Sequence, residues 1–149
     1  MGTRGEFQID PGRLSVSRAD GDLEIVVPYT GPRTTAAALE RAAALTAGLN
    51  AHVLLVAVHT LPYPSEFVCP ALVHAHLVEQ LIELATHCSI PVQPQVVLAR
   101  DRAEGFRFAL KPSSTVLVAT PRRFWRTPEE SLARSLARDG HKVALMHIE

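Results

Sequence analysis

Short apolar runs alternate with amphipathic segments along residues 23–148. The runs are apolar almost throughout, as in strands of a parallel sheet that is covered on both faces. They are residues 23–29, 51–60, 92–99, 114–120 and 142–148. The segments between them carry apolar residues at helical spacing; they are residues 31–50, 71–89, 102–110 and 127–140. This alternation predicts an α/β domain of three layers, in which a mostly parallel five-stranded sheet has helices on both faces.

Local signals at the helix ends support two of these helices. Residues 127–140 begin with Thr127 as N-cap and Pro128 as first helical residue, and Glu130 completes a capping box. Gly140 fits the left-handed position after the last turn. Residues 31–50 begin with a Gly-Pro pair and place apolar residues on one face at helical spacing. These apolar residues are Ala38, Ala42, Leu45 and Leu49.

The chain divides into a tail and a domain. Residues 1–22 are polar and contain glycine, and we expect a tail there, with Leu14–Ser17 as an optional extra edge strand. Residues 23–149 form the α/β domain. No linker or internal repeat divides them.

Composition excludes several classes of partner. Fifteen basic residues balance fifteen acidic ones, so no overall field favours nucleic acid or an anionic membrane surface. No apolar run reaches the roughly 18 residues of a membrane span, and the N-terminus lacks a signal core. Cys69 and Cys88 lack the spacing of a metal site, which favours a reducing, cytoplasmic setting.

The histidines do not predict a metal site. His74 and His76 are two residues apart on a helix and therefore point in nearly opposite directions. His76 and His87 share a face but lie roughly 16 Å apart along the axis, whereas metal–ligand bonds are near 2 Å. His59 ends a strand and could act as a base or ligand contact. Because no nucleophile motif or carboxylate pair accompanies it, we assign no catalytic residue.

Four stretches resemble the universal stress protein family over residues 23–148. They are "IVVPYTGPRTTAAALERAAALTAGLNAHVLLVAV", "VQPQVVLARDRAEGFRFAL", "STVLVAT" and "LARDGHKVALMHI". The resemblance implies a Rossmann-like fold of the adenine nucleotide alpha hydrolase type, with strand order 3-2-1-4-5. It also implies a homodimer that pairs the last strands, here Lys142–Ile148. That strand is apolar and ends the domain, so pairing it across a twofold axis would also cover a sheet edge.

The family's ATP motif is not matched. Members of that family that bind ATP usually have an aspartate after the first strand and a Gly-x2-Gly-x9-Gly-Ser/Thr run after the fourth. The corresponding positions here are Thr30, Thr120, Arg123, Ala133 and Arg134, and no glycine occurs from 106 to 139. Without glycines, side chains stand where backbone amides would approach the phosphates. We therefore expect no cofactor, and ATP or another adenine nucleotide is disfavoured.

The resemblance places the candidate site in the crevice between the first and fourth strands, at the point where the strand order reverses. The candidate binding residues are Pro28, Thr30, Val58, Thr120, Arg122, Arg123 and Arg134. Arg122 and Arg123, with Arg126, could grip a phosphate by side chain. The alternative is a solvated basic loop. The sequence does not decide whether Phe124 and Trp125 fill the crevice.

These observations favour a non-catalytic binding or regulatory domain that acts as a homodimer. The resemblance adds a signalling or transporter partner, because domains of this family occur joined to transporters and kinases. The alternative function is binding of a nucleotide or another phosphorylated small molecule through Arg122 and Arg123. An enzyme of the adenine nucleotide hydrolase group ranks last, since "PYTGPRTT" lacks the serine- or glycine-rich loop of those enzymes.

Overall fold

A computed structural model describes residues 23–60, 70–123 and 125–148, with the backbone alone at residues 70–73. The predicted tail, its optional strand at Leu14–Ser17, and the residues Cys69 and Phe124 lie outside the described residues. The elements run β1 (Leu23–Pro28), α1 (Pro32–Leu45), β2 (Ala51–Thr60), α2 (Pro70–Thr86), β3 (Val92–Ala99), α3 (Arg102–Ala109), β4 (Thr115–Pro121), α4 (Pro128–Arg138) and β5 (Lys142–Ile148).

The five strands form one sheet in the order β3-β2-β1-β4-β5, and every pairing is parallel. This confirms the predicted fold class and strand order. From β1 the chain adds β2 and β3 on one side, and it then returns to the other side of β1 to add β4 and β5. The strand order therefore reverses between β1 and β4. No described helix is long and apolar enough to cross a membrane.

Two apolar layers cover the two faces of the sheet. One contains Ile25, Leu55 and Leu117 from the strands, with Leu39 of α1 and Leu81 of α2. The other contains strand residues of opposite parity, with helix residues from α3 and α4. Because successive strand residues point to opposite faces, strands that are apolar throughout supply both layers.

Helix α3 approaches the sheet closely at Gly105. A Cβ atom added there would lie 2.5 Å from Cγ1 of Val58 and 2.8 Å from its Cγ2. Real Cβ atoms do not approach other carbons this closely, so a glycine is required at the point where α3 crosses β2.

Helix α1 ends earlier than its alanine periodicity predicts. It stops at Leu45, and the hydroxyl of Thr46 donates to the carbonyl of Ala42 at 2.8 Å. Gly48 then adopts a positive φ of 82°. The prediction that Leu49 lies on the apolar helix face is therefore wrong: Leu49 follows the helix and is exposed. Helix α2 likewise ends at Thr86, three residues before the predicted end.

Candidate functional site

The candidate crevice lies where β1 and β4 run side by side. Their pairing sets Val26 beside Val116, and the same register brings Thr30 and Thr120 to the same level at the carboxyl ends of the two strands. From there α1 packs on one face of the sheet and α4 on the other. This is the geometry that places ligands in doubly wound sheets.

On the β1 side, threonine hydroxyls bond to their own turn. The backbone N–H of Thr30 donates to Oγ1 of Thr35 at 3.0 Å, and the hydroxyls of Thr30 and Thr34 lie 2.6 Å apart. Thr34 and Thr35 are buried. Gly31, at φ 122°, makes the turn into the helix, and Pro32 occupies its first turn. Polar groups that would face a ligand are therefore engaged within the turn.

On the β4 side, the hydroxyls of Thr120 and Thr127 bond to each other, and both residues are buried. The Thr127 hydroxyl also accepts from the backbone N–H of Glu130 at 3.1 Å, and the Glu130 carboxylate accepts from the N–H of Thr127 at 3.4 Å. This confirms the capping box predicted from the sequence.

The first turn of α4 is consequently a poor anion site. Two of its amides are capped, Pro128 has no N–H, and Glu129 and Glu130 place carboxylates in the same turn. These carboxylates already interact favourably with the positive end of the helix. An anion at this edge would have to be held by arginine side chains.

The arginines lie on the outer side of the β4–α4 loop. Arg122, Arg123 and Arg126 are all exposed. Arg123 and Arg126 line a groove of about 370 Å³ together with Trp125, while Arg122 is absent from its lining. Trp125 is 79% exposed and so does not fill the crevice. The groove is completed by Pro121, Thr127, Pro128 and Glu129.

The structure brings only some of the predicted site residues together. Pro28 is buried in the sheet, and Val58 packs against Gly105. Arg134 lies on the exposed side of α4, seven residues beyond Thr127 and therefore about 10 Å along the helix axis. Thr34 and Thr35 belong to the crevice and were not predicted. The signal in the sequence was the clustering of three threonines after the first strand.

Two further side chains lie at this edge of the sheet: Tyr29, directly after β1, and His59, near the end of β2. The phenol of Tyr29 donates to Oε1 of Gln80 at 3.2 Å, and burial raises the pKa of Tyr29 above its usual value. Nδ1 of His59 is buried and has no hydrogen-bond partner among the described residues. His59 itself is half-buried.

The remaining histidines and cysteine form no catalytic or metal cluster in the part of the chain that the structure describes. No group of three or more His, Cys, Asp or Glu side chains converges there. His76 and His87 are exposed on or just beyond α2. Cys88 is half-buried, packs against the apolar layer beneath α1 and α2, and lines a hollow of about 470 Å³ between these helices. That hollow contains no lysine or arginine and does not suit a phosphate.

No protein-family model matches this chain, and no curated protein matches it. Among solved structures, it is similar to a universal stress protein crystallised in complex with cAMP. The two share 14% sequence identity with a TM-score of 0.48, and the match covers 85% of this chain and 95% of that chain. Such a likeness concerns the overall fold alone, and the fold class stated above rests on the observed strand order.

Proposed function

We propose that this chain is a universal stress protein-like domain that acts as a non-catalytic binding or regulatory module. It works as a homodimer and does not hold ATP in the manner of that family. One observation supports the proposal above all: the hydroxyls at the carboxyl ends of β1 and β4 are already hydrogen-bonded within the protein. The hydroxyl of Thr30 bonds to that of Thr34, and the hydroxyl of Thr120 bonds to that of Thr127. The cytoplasmic setting and the signalling or transporter partner that the sequence favours are parts of the same proposal.

A triphosphate in the crevice would need donors that this edge has already used. Both helices that begin here carry proline in the first turn, Pro32 in α1 and Pro128 in α4, so each lacks one amide donor. Breaking the bonds of Thr30 or Thr120 would leave buried hydroxyls unpaired, at about 1–3 kcal/mol each. This cost opposes binding through backbone and hydroxyl groups.

A thermal-shift screen with ATP, ADP, AMP and cyclic nucleotides tests the proposal. A ligand at 100 times its dissociation constant stabilises a protein by about 2.7 kcal/mol, which is readily seen as a melting shift. In the variant in which Arg123 and Arg126 are both alanine, we expect millimolar ATP to cause no melting shift. A shift with ATP that survives this double substitution would place the nucleotide in the crevice and overturn the proposal.

The edge of the sheet supports the homodimer. In β5 the backbone of Lys142 and Ile148 bonds to the β4 side, and alternate residues of a parallel strand share this direction. The N–H and C=O groups of Val143, Leu145 and His147 therefore point away from β4. Proteins normally cover such an edge, and a second copy of β5 would pair with these groups.

The second candidate function is binding of a phosphorylated small molecule at the arginine loop. The observation that favours it is the groove in which Arg123 and Arg126 lie beside Trp125. Arginine binds phosphate through its planar fork of donors and needs no backbone amide. The arginines proposed here are Arg123 and Arg126, which line the groove, whereas the pair predicted from the sequence was Arg122 and Arg123. The same double alanine variant separates this function from the first, since it removes only groove binding.

A further inference from the structure

The groove of about 370 Å³ that follows β4 combines charge with an aromatic surface. Trp125 is the only tryptophan of the chain and is 79% exposed. Exposed aromatic surface of this size often marks a recognition surface. The two arginines that line the same groove provide donors for an anion.

The charge of this loop is local. Arg122, Arg123 and Arg126 lie within five positions of a chain whose formal net charge is zero. The groove itself receives Arg123 and Arg126 and one carboxylate residue, Glu129. A ligand with a single phosphate can be matched by the two guanidinium groups, whereas a longer polyphosphate would also approach Glu129.

We propose that this groove binds a mononucleotide with one phosphate, whose base stacks on Trp125 and whose phosphate lies between Arg123 and Arg126. The proposal rests on the second candidate function and gives it a ligand class. Bases stack on aromatic side chains with little dependence on their identity, so the site recognises the combination of a flat ring and a phosphate.

The size of the groove favours a mononucleotide over a polymer. Small-molecule sites commonly occupy about 300–1,000 Å³, and this groove of about 370 Å³ is at the lower end of that range. A nucleic acid strand would need a basic path for successive phosphates, whereas this groove is lined by two arginines and by the carboxylate residue Glu129. Triphosphates bind more weakly than monophosphates because their additional phosphates would approach the carboxylate of Glu129.

Trp125 supplies its own reporter, because its fluorescence is the tryptophan signal of the whole protein. The full chain is titrated with AMP and CMP, and separately with adenosine, ribose 5-phosphate and inorganic phosphate. We expect both nucleotides to quench the fluorescence with saturation. Adenosine and ribose 5-phosphate each lack one half of the recognised group and bind at least about tenfold more weakly.

Three variants locate the site. Arg123→Ala and Arg126→Ala each weaken AMP binding about tenfold or more. Arg138→Ala, which removes an equal charge from the exposed side of α4, leaves it unchanged. Trp125→Ala, followed by calorimetry, weakens AMP binding but leaves phosphate binding unchanged. Circular dichroism and melting temperature establish that each variant is folded.

Absence of saturable quenching by either nucleotide overturns the proposal, as does equal binding of adenosine and AMP. Equal binding of inorganic phosphate and AMP shows an anion site without base recognition and also overturns the mononucleotide assignment. These outcomes leave the proposed regulatory function standing. The proposed regulatory function has its own test: it is contradicted if ATP stabilises the variant in which Arg123 and Arg126 are both alanine.

Discussion

The hydroxyl groups of Thr120 and Thr127 form a hydrogen bond that joins the end of β4 to the N-cap of α4. Both residues are buried, and the Thr127 hydroxyl also caps the amide of Glu130. The Thr127 side chain thus caps α4 and also occupies the Thr120 hydroxyl at the end of β4. A loop built this way exposes its arginines while its backbone is engaged.

Substitutions of this pair measure how much the closed crevice contributes to stability. Thr127→Ala removes the cap and leaves the Thr120 hydroxyl with only its 3.4 Å contact to the Pro121 carbonyl, so we expect a loss of about 2 kcal/mol in the free energy of unfolding. Thr120→Val removes one bond and leaves the cap, for a loss of about 1 kcal/mol. Urea unfolding measures both.

The double variant is the control for this pair. Since both single substitutions remove the same hydrogen bond, their effects combine to less than their sum. Strict additivity would mean that the two hydroxyls do not interact in solution.

The features of the fold that could be predicted from the sequence depend on near neighbours. The caps of α4 at Thr127, Glu130 and Gly140 follow from residues a few positions apart. The end of α1 could not be predicted from periodicity, because alanine and leucine continue the helical pattern through Leu49 while the bond from Thr46 and the turn at Gly48 end the helix.

The candidate site shows the same division. The sequence identified the absence of glycine and the arginines of the loop. It did not show that Arg126 lines the groove and Arg122 does not, because the direction of a side chain in an irregular loop has no periodicity to follow. The threonine bonds were also not predicted, since the bond from Thr120 to Thr127 requires the path of the intervening loop.

Gly105→Ala tests the close packing of α3 on β2. Alanine favours a helix by about 1 kcal/mol over glycine, but the new Cβ would lie 2.5 Å from Val58. We expect the clash to dominate, with a net loss of about 1–3 kcal/mol. In the Val58→Ala background the two methyl contacts are removed and only a 3.2 Å approach to the Cβ of Ala99 remains, so the same substitution should be clearly less destabilising. A destabilisation of equal size in both backgrounds would contradict this explanation.

His141 makes the stability of the protein depend on pH. It is buried, its Nδ1 accepts from the backbone N–H of Ser114 at 3.1 Å, and burial lowers its pKa below the usual 6.5, against the opposing effect of Asp139. The unfolded chain therefore binds a proton more readily than the folded one. Stability from this residue is complete above about pH 6.5 and is lost progressively as the pH falls below it.

The pH dependence is measured by urea unfolding between pH 7.5 and pH 5. His141→Asn retains an acceptor and cannot be protonated, so the difference in stability between wild type and variant should change in favour of the variant as the pH falls. Asp139→Asn removes the charge that opposes the lowering of the His141 pKa, so in this variant the loss of stability should extend to lower pH than in wild type. A difference that stays constant across this range would show that His141 is not the titrating group.

The proposed dimer depends on backbone groups of β5 that point away from β4. His147 is exposed, and its N–H lies on the outward side, as the bonds of Lys142 and Ile148 to the opposite side indicate. His147→Pro removes an outward donor and leaves the pairing with β4 intact. If β5 pairs as proposed, we expect light scattering to show a dimer for the wild type and a folded monomer for this variant.

Met146→Pro is the matched control, one residue away. Its N–H belongs to the set directed at β4, so proline there removes a bond inside the sheet and lowers the free energy of unfolding by about 2 kcal/mol or more. The two variants therefore separate pairing between copies from pairing within one copy. If wild type is monomeric at all accessible concentrations, or if His147→Pro remains dimeric, β5 is not the dimer interface.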